Sequence, residues 1–427
     1  MPAPPPSRSS LGRFLTLGGM AARIAGGVIG QRVRHGRAGI DWQPVGELLG
    51  EVLGNLKGPV LKLGQMGAQW QDILPEPILQ ALTRLQNQVP PLPYAHLHEH
   101  LRQRYGCAPE TLFRQIDPQP CAAASLAQVH RAVTADGQPV ILKIQYPGME
   151  AICRADLRQL RRLLPLGRLF KAPAGQLEAL YRELERSIVA ELDYGLELQR
   201  LQQYRRHFGQ WRGLRLPEPH EALCRSGILV LSEERGLPLS AVHQASPAVR
   251  QRLADTLVDW LIAQAFDLRL LHADPHAGNF AYTAEGELLV YDFGCIQPLS
   301  GELLQAYART WQALRDGSVE QLERAFQGLG TRQPASAPPW GLYRQLIGLL
   351  HPLLQPGTCW DFAASPLHRQ AMQLSPEVFS TLGSLQPSAS TVLLNRTLEG
   401  HYWNLLRLGA PVALADRLER AIGTLQP

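Results

Sequence analysis

Between Leu270 and Gly294 the chain reads LLHADPHAGNFAYTAEGELLVYDFG, a stretch rich in side chains that handle phosphate and metal. His272 stands two residues before Asp274, Asn279 follows five residues after that acid, and Asp292 comes thirteen after the asparagine. Phosphoryl transfer needs a carboxylate beside the attacking hydroxyl or water, and hard oxygen ligands that hold Mg²⁺ against the phosphates. Asp274 has the type and position of the catalytic base, and Asn279 with Asp292 those of the metal ligands. A lone Asp-Phe-Gly says little; three elements in this order and at this spacing say much more.

Such groups must be positioned by elements on either side. FDLRLL closes an amphipathic helical run over 248–268, and ELLVY is a short apolar strand that ends on Asp292. The order His-x-Asp, Asn, Asp-Phe-Gly is the catalytic-loop spacing of the protein-kinase-like fold, which requires a nucleotide-binding β-lobe upstream. Residues 120–148, PCAAASLAQVHRAVTADGQPVILKIQYPG, supply one: a small-residue loop, a strand, an Asp-Gly turn, then a β-branched strand carrying Lys143. Ala122, Ala123, Ala124 and Ser125 are expected to form the loop over the phosphates of ATP, stiffer than a glycine run. Lys143 is expected to reach the α- and β-phosphates.

Residues 176–204, QLEALYRELERSIVAELDYGLELQRLQQY, read as one long helix flanking the β-lobe. It offers three acids to the nucleotide site. Asp193 and Glu197 share a face, while Glu191 lies on another. Either Glu191 or Glu197 is expected to orient Lys143. Gly195 inside the run costs roughly 1 kcal/mol against alanine, which marks crowding or a bend. Then GILVLSEERGLPL, 227–239, has the character of a hinge between lobes, with backbone groups near Ser232, Glu233 and Glu234 placed to read adenine. Beyond Gly294 the pattern is mostly helical, broken by a loop at 332–340.

Composition narrows the function classes. The 427 residues are 45% hydrophobic and 19% charged, which is globular, with room for two or three domains. A net charge of +5 is too small to imply a nucleic-acid partner. Six cysteines without a Cys-x-x-Cys pair point to reduced thiols rather than a disulfide framework or a zinc site. Of 42 basic residues only Lys57, Lys62, Lys143 and Lys171 are lysines. Where arginine serves as the generic cation, a surviving lysine marks a place that needs a compact, flexible ammonium.

The first 40 residues carry six arginines, Arg8, Arg13, Arg23, Arg32, Arg34 and Arg37, and no acid. FLTLGGMAARIAGGVIG is too short and broken for a membrane span. The leader reads equally as an organelle-targeting segment, a membrane-surface helix or a helix packed on the domain. Residues 41–118 form a helical extension containing LKLGQ, where Lys62 and Gln65 share one helix face. On its own that segment reads as an ordinary helix surface. The resulting division is 1–40 leader, 41–118 extension, 119–238 N-lobe and 239–427 C-lobe.

Taken together, LKLGQ, AAASLAQVHRA, KIQYPG, ELDY, LHADPHAGNF and YDFG, in this order, closely resemble the UbiB family of atypical kinases, the aarF-domain or coenzyme-Q-supporting kinase-like proteins. The motifs cover about 61–294. The resemblance implies an α+β, protein-kinase-like two-lobe fold with an added N-terminal helical segment across the cleft and a mostly helical C-terminal lobe. It also implies Mg-ATP binding, ATPase activity and support of ubiquinone biosynthesis. Partners would be a lipid or isoprenoid-phenol small molecule and quinone-biosynthesis proteins. The expected location is cytoplasmic and peripheral at a membrane, or mitochondrial in a eukaryotic source. Lys62 and Gln65 would lie where a protein kinase seats its peptide, with Glu191 and Asp193 as partners and a role in catalysis. Ala277 stands where the family usually has proline and Ala127 where it usually has glycine. A small-molecule kinase of the aminoglycoside or choline type shares the His-x-Asp-x-x-x-x-Asn loop but neither LKLGQ nor the alanine loop. A non-catalytic ATP-binding scaffold is the reading from another class; against it, Lys143, Asp274, Asn279 and Asp292 are all present.

Overall fold

The computed structural model describes residues 92–123, 126–164, 174–332, 337–365, 367, 369–370 and 389–425, with Gln43, Glu47 and Gln80. Lys62, Gln65, Ala124, Ser125 and the basic leader lie outside them, as does nearly all of the helical extension up to residue 91. The chain divides into two compact units. One comprises the residues up to Glu197 together with Pro219–Ser232, the other Leu198–Glu218 with Glu233–Pro427.

In the first unit, helix α1 (Tyr94–Tyr105) leads into a sheet of strands β1 (Phe113–Ile116), β2 (Ala122–Ala123), β3 (Ala127–Thr134), β4 (Pro139–Gln145) and β6 (Ile228–Ser232). The order is β1-β3-β4-β6, with β2 on the side of β3. The expected hairpin is present: β3 and β4 pair antiparallel from Ala127↔Gln145 to Val133↔Pro139, closed by a turn in which Gly137 takes φ of 92°. Alternation along β4 decides what faces the core. Val140, Leu142 and Ile144 are fully buried with Leu97 and Leu101 of α1, Cys153 and Leu157 of α2 (Met149–Leu163), and Leu184 and Ile188 of α3 (Ala174–Leu192). Lys143 therefore points to the other face of the sheet.

The single long helix expected over 176–204 is two. Helix α3 ends at Leu192, and α4 (Tyr194–Phe208) begins after a break at Asp193. Asp193 Oδ1 accepts from the backbone N–H of Leu196 at 3.0 Å, satisfying one orphan donor of the new helix as an N-cap does. A Cβ at Gly195 would lie 3.3 Å from that same Oδ1, so the glycine leaves the cap its space. The predicted bend thus exists, two residues earlier than Gly195. Asp193 is a cap and not a mid-helix partner of Glu197.

In the second unit a four-stranded sheet runs β5 (Leu214–Arg215), β10 (Leu288–Val290), β9 (Phe280–Tyr282), β7 (Leu237–Pro238), and β8 (Leu270–His272) pairs separately with β11 (Ile296–Pro298). Helix α5 (Pro247–Ala263) starts on a Ser246 cap and passes into a π-helical turn, Gln264–Leu268, before β8. Helices α6 (Gly301–Arg315), α7 (Val319–Gly328), α8 (Trp340–Leu350), α9 (Ala389–Leu408) and α10 (Leu414–Gly423) complete it. Its core is aromatic around His272, with Trp260, Phe280 and Phe293 rings 5.6–5.7 Å away. No helix among the described residues is long and apolar enough to cross a membrane.

Candidate functional site

A cationic group in the first unit is built on β4. Lys143 pairs in register with Val129 and Leu229, which fixes its ammonium on the face away from the core. There Nζ donates to both carboxylate oxygens of Glu197, at 2.8 and 2.9 Å. The ring of Tyr194, one turn earlier on α4, lies beneath the ammonium with its centroid 5.2 Å away. Glu197, one of the two acids offered by the sequence, meets Lys143. Gln145, two residues along the same strand, donates from Nε2 to the carbonyl of Leu192 at 3.2 Å, holding the end of α3 just before the break. Sequence reasoning missed both Gln145 and Tyr194. Both stand in the motifs KIQYPG and ELDY, but their roles arise only when strand and helices meet.

The loop expected to cover phosphates begins differently from its reading. Ala122 and Ala123 are paired with Val129 and Gln128 as a short strand, so this part of the run is held by the sheet. The strand at 228–232 ends on Ser232, and Glu233 and Glu234 follow outside any helix or strand. Glu234 uses its carbonyl to accept from Tyr291 Oη at 3.1 Å, while the carboxylate of Glu233 takes Arg235 at 2.8 Å.

An acidic group lies in the second unit and is organised by its own backbone. His272, fully buried, sits at hydrogen-bond distance from the Asp292 carbonyl, Nε2 to O 2.5 Å. A carbonyl only accepts, so Nε2 is the donor, and burial first of all holds the ring's pKa below the usual histidine value. That bond ties the Asp-Phe-Gly backbone to the His-x-Asp strand. Asp292 then accepts on Oδ1 from the Gly294 N–H at 2.7 Å, a local turn that sets its carboxylate. Arg200 of α4 donates to the Gly294 carbonyl at 2.8 Å. Asp274 accepts from the His276 N–H at 3.3 Å, and its carbonyl takes Nδ2 of Asn279 at 3.3 Å. With its NH₂ directed to that carbonyl, Asn279 has its amide oxygen as the end suited to a cation.

This donor set fits Mg²⁺. Among the described residues no group of three or more His, Cys, Asp or Glu is arranged to hold a metal. One carboxylate and one amide oxygen, completed by phosphates and water, is instead the sparse all-oxygen set that Mg²⁺ accepts.

Residues 84–325 match the family model described as the ABC1 atypical kinase-like domain. The chain belongs to that family. Five of the six motifs, from AAASLAQVHRA to YDFG, fall inside the matched stretch; LKLGQ at 61–65 precedes it. The chain is 26% identical over 429 residues to "Atypical kinase COQ8B, mitochondrial" of Rattus norvegicus, covering 96% of this chain and 79% of that protein. It is 27% identical over 342 residues to "Atypical kinase coq-8, mitochondrial" of Caenorhabditis elegans, covering 75% of this chain and 45% of that one. With "Probable protein kinase UbiB" of Aeromonas hydrophila subsp. hydrophila the identity is 33% over 234 residues, 53% of this chain and 43% of that one. The match thus spans less than half the length of two of these relatives. The solved Rv3197–erythromycin complex from Mycobacterium tuberculosis shares the fold, with a TM-score of 0.64 at 23% identity over 90% of this chain and 97% of that one. The expected α+β, kinase-like fold is therefore the fold of this protein.

Proposed function

We propose that this protein is an ATP-dependent atypical kinase or ATPase of the UbiB type, supporting isoprenoid-quinone biosynthesis through a lipid or small-molecule partner. The observation that carries the reading is the pair of Lys143 with both oxygens of Glu197. A strand lysine oriented by a helix glutamate is the arrangement on which kinases depend to hold nucleotide phosphates. Lys143 then contacts the α- and β-phosphates of ATP, Asn279 and Asp292 are the Mg²⁺ ligands, and Asp274 takes the proton of the attacking hydroxyl or water. Bound Mg²⁺ would neutralise charge on the phosphates. Backbone groups at Ser232, Glu233 and Glu234 read the adenine, and the segment from Ala122 to Ser125 covers the phosphates.

Lys62 and Gln65, with Glu191 and Asp193 as partners, are assigned the role of keeping protein substrates from Asp274 while admitting water or a small acceptor. The leader with its six arginines is assigned to an anionic membrane surface, at about 1 kcal/mol per residue near it. Mg-ATP turnover with and without liposomes and quinone-precursor-like phenols tests the reading, together with Asp292→Asn. Turnover that rises with phenol or lipid, and loss of Mg-dependent ATP binding in the variant, are the expected results. Unchanged Mg-ATP affinity in Asp292→Asn would overturn the metal assignment.

A further inference from the structure

Helix α9 reaches the Asp274–Asn279 loop from 129 residues away in sequence. A Cβ on its Gly400 would lie 2.1 Å from Cγ and 2.6 Å from Cβ of Pro275, so the helix backbone rests directly on the residue after Asp274. One turn on, Asn404 is fully buried and donates from Nδ2 to the Pro275 carbonyl at 2.8 Å, while its Oδ1 accepts from Arg407 at 3.1 Å. Between them His401 is 2% exposed, edge-on to the Phe280 ring at 5.7 Å. Neither of its ring nitrogens has a hydrogen-bond partner. Burial chiefly, then His272, lowers its pKa to about 3 against the opposing pull of Asp274, which keeps the ring neutral. Gly400, His401 and Asn404 share one side of the helix. A phenylalanine at 401 would pack without the unpaired polar groups, so the histidine gives up stability, and each such orphan calls for a reason.

We propose that this face of α9 is a brace that sets the catalytic loop, with Asn404 and His401 as positioning residues for Asp274. The inference rests on the phosphoryl-transfer reading and deepens it. Asn404 fixes the peptide that follows Pro275, and Gly400 admits the helix close enough for that bond to form. His401 places a neutral, polarisable ring within the field of the Asp274 carboxylate, where a charged group would pull the acid toward itself and away from its substrate.

The test uses the full chain with Asn404→Leu, His401→Phe and, as a control on the exposed side of α9, Leu398→Ala. ATP hydrolysis, thermal midpoint and hydrogen exchange of the loop amides at His276, Gly278 and Asn279 are measured. Asn404→Leu should lower kcat about tenfold or more with KM for ATP changed less than about twofold, since small misplacements of reacting groups are costly. Its loop amides should exchange about tenfold faster. His401→Phe should raise the thermal midpoint while kcat falls, a split that a merely structural residue would not produce. Leu398→Ala should match wild type throughout. Unchanged loop exchange in Asn404→Leu overturns the brace, whether or not the wild type hydrolyses ATP. An active wild type with kcat unchanged in both variants overturns the positioning roles. An inactive wild type with faster exchange in Asn404→Leu overturns the phosphoryl-transfer reading and leaves the brace standing. Should Asn404→Leu fail to fold, Asn404→Ser, whose donor is too short to reach Pro275, takes its place.

Discussion

Two ion pairs among the described residues are buried with a tyrosine beside each, and they are built in opposite ways. In the second unit Arg332 donates from Nε to Glu323 at 3.0 Å, and Tyr343 donates to the same carboxylate at 2.6 Å. Their side chains are 1% and 9% exposed for the arginine and the glutamate. Guanidinium and hydroxyl both donate to Oε2 while Oε1 accepts from Gln327 at 2.8 Å, and burial, then Glu323, pushes the Tyr343 phenol above its usual range. In the first unit Lys143 and Glu197 are 14% and 3% exposed, and Tyr194 offers the ammonium a ring face instead of a hydroxyl. A chain with 38 arginines and four lysines has arginine in the locked pair and lysine in the other. The difference teaches that burial of a charge pair does not by itself tell scaffold from site. A fork bound on its acid is spent, whereas an ammonium on a flexible stem can add a phosphate oxygen while keeping its glutamate.

The largest expected effect comes from breaking the locked pair. Glu323→Leu leaves Arg332 buried without its counter-charge and should cost about 3–5 kcal/mol in urea unfolding. A loss below about 1 kcal/mol would show that water reaches the pair and that the contrast is false. Next, Lys143→Arg should lower ATP turnover by about 100-fold, since the fork cannot serve glutamate and phosphates together, with stability changed by less than about 1 kcal/mol. Full activity in that variant would make the lysine an ordinary cation. Arg332→Lys, the mirror change, should destabilise by about 1–2 kcal/mol through lost fork geometry and leave KM for ATP alone. The smallest effect concerns a buried ring kept free of charge. The folded protein holds the pKa of His401 at about 3, below the ordinary 6.5, so from pH 6.5 downward the unfolded chain takes up a proton that the folded chain refuses. Stability should therefore fall as pH drops from 6.5 toward 3, and His401→Phe should shift the acid-unfolding midpoint down by about half a pH unit.

What could be read from the sequence was local. The spacing of His272, Asp274, Asn279 and Asp292, the β3–β4 hairpin and the strand lysine all depend on residues within one turn or loop. The break at Asp193 was half visible, since an aspartate two before a glycine suits a cap, but the apolar period runs straight through it. Choosing Glu197 over Glu191 needed the strand that carries Lys143 set against α4, since the sequence already puts the two acids on different faces. Ala122 and Ala123 gave no strand signal because alanine is a poor strand former, and pairing with β3 overrides that preference. The α9 face was hidden altogether. Gly400, His401 and Asn404 form no motif, and their meaning comes from Pro275, 129 residues earlier than Asn404.

The π-helical turn at Gln264–Leu268 carries a consequence for how this chain can vary. Its first residue, Gln264, accepts on Oε1 from both the His272 N–H at 2.7 Å and the Tyr204 hydroxyl at 2.8 Å. The turn then exits through Arg269 in the left-handed region, φ of 55°, the only non-glycine residue with positive φ among those described. Removing one residue from this turn would let the ordinary helical ladder close, at about 100° per residue. Everything after it would then be rephased, and β8 would turn His272 out of the aromatic core and to its opposite face. A substitution at Gln264 removes hydrogen bonds, but a change of length is a change of which side chain occupies the core. Between Ala263 and Asp274 the length of the chain is therefore as much a constraint as the identities of Gln264 and His272.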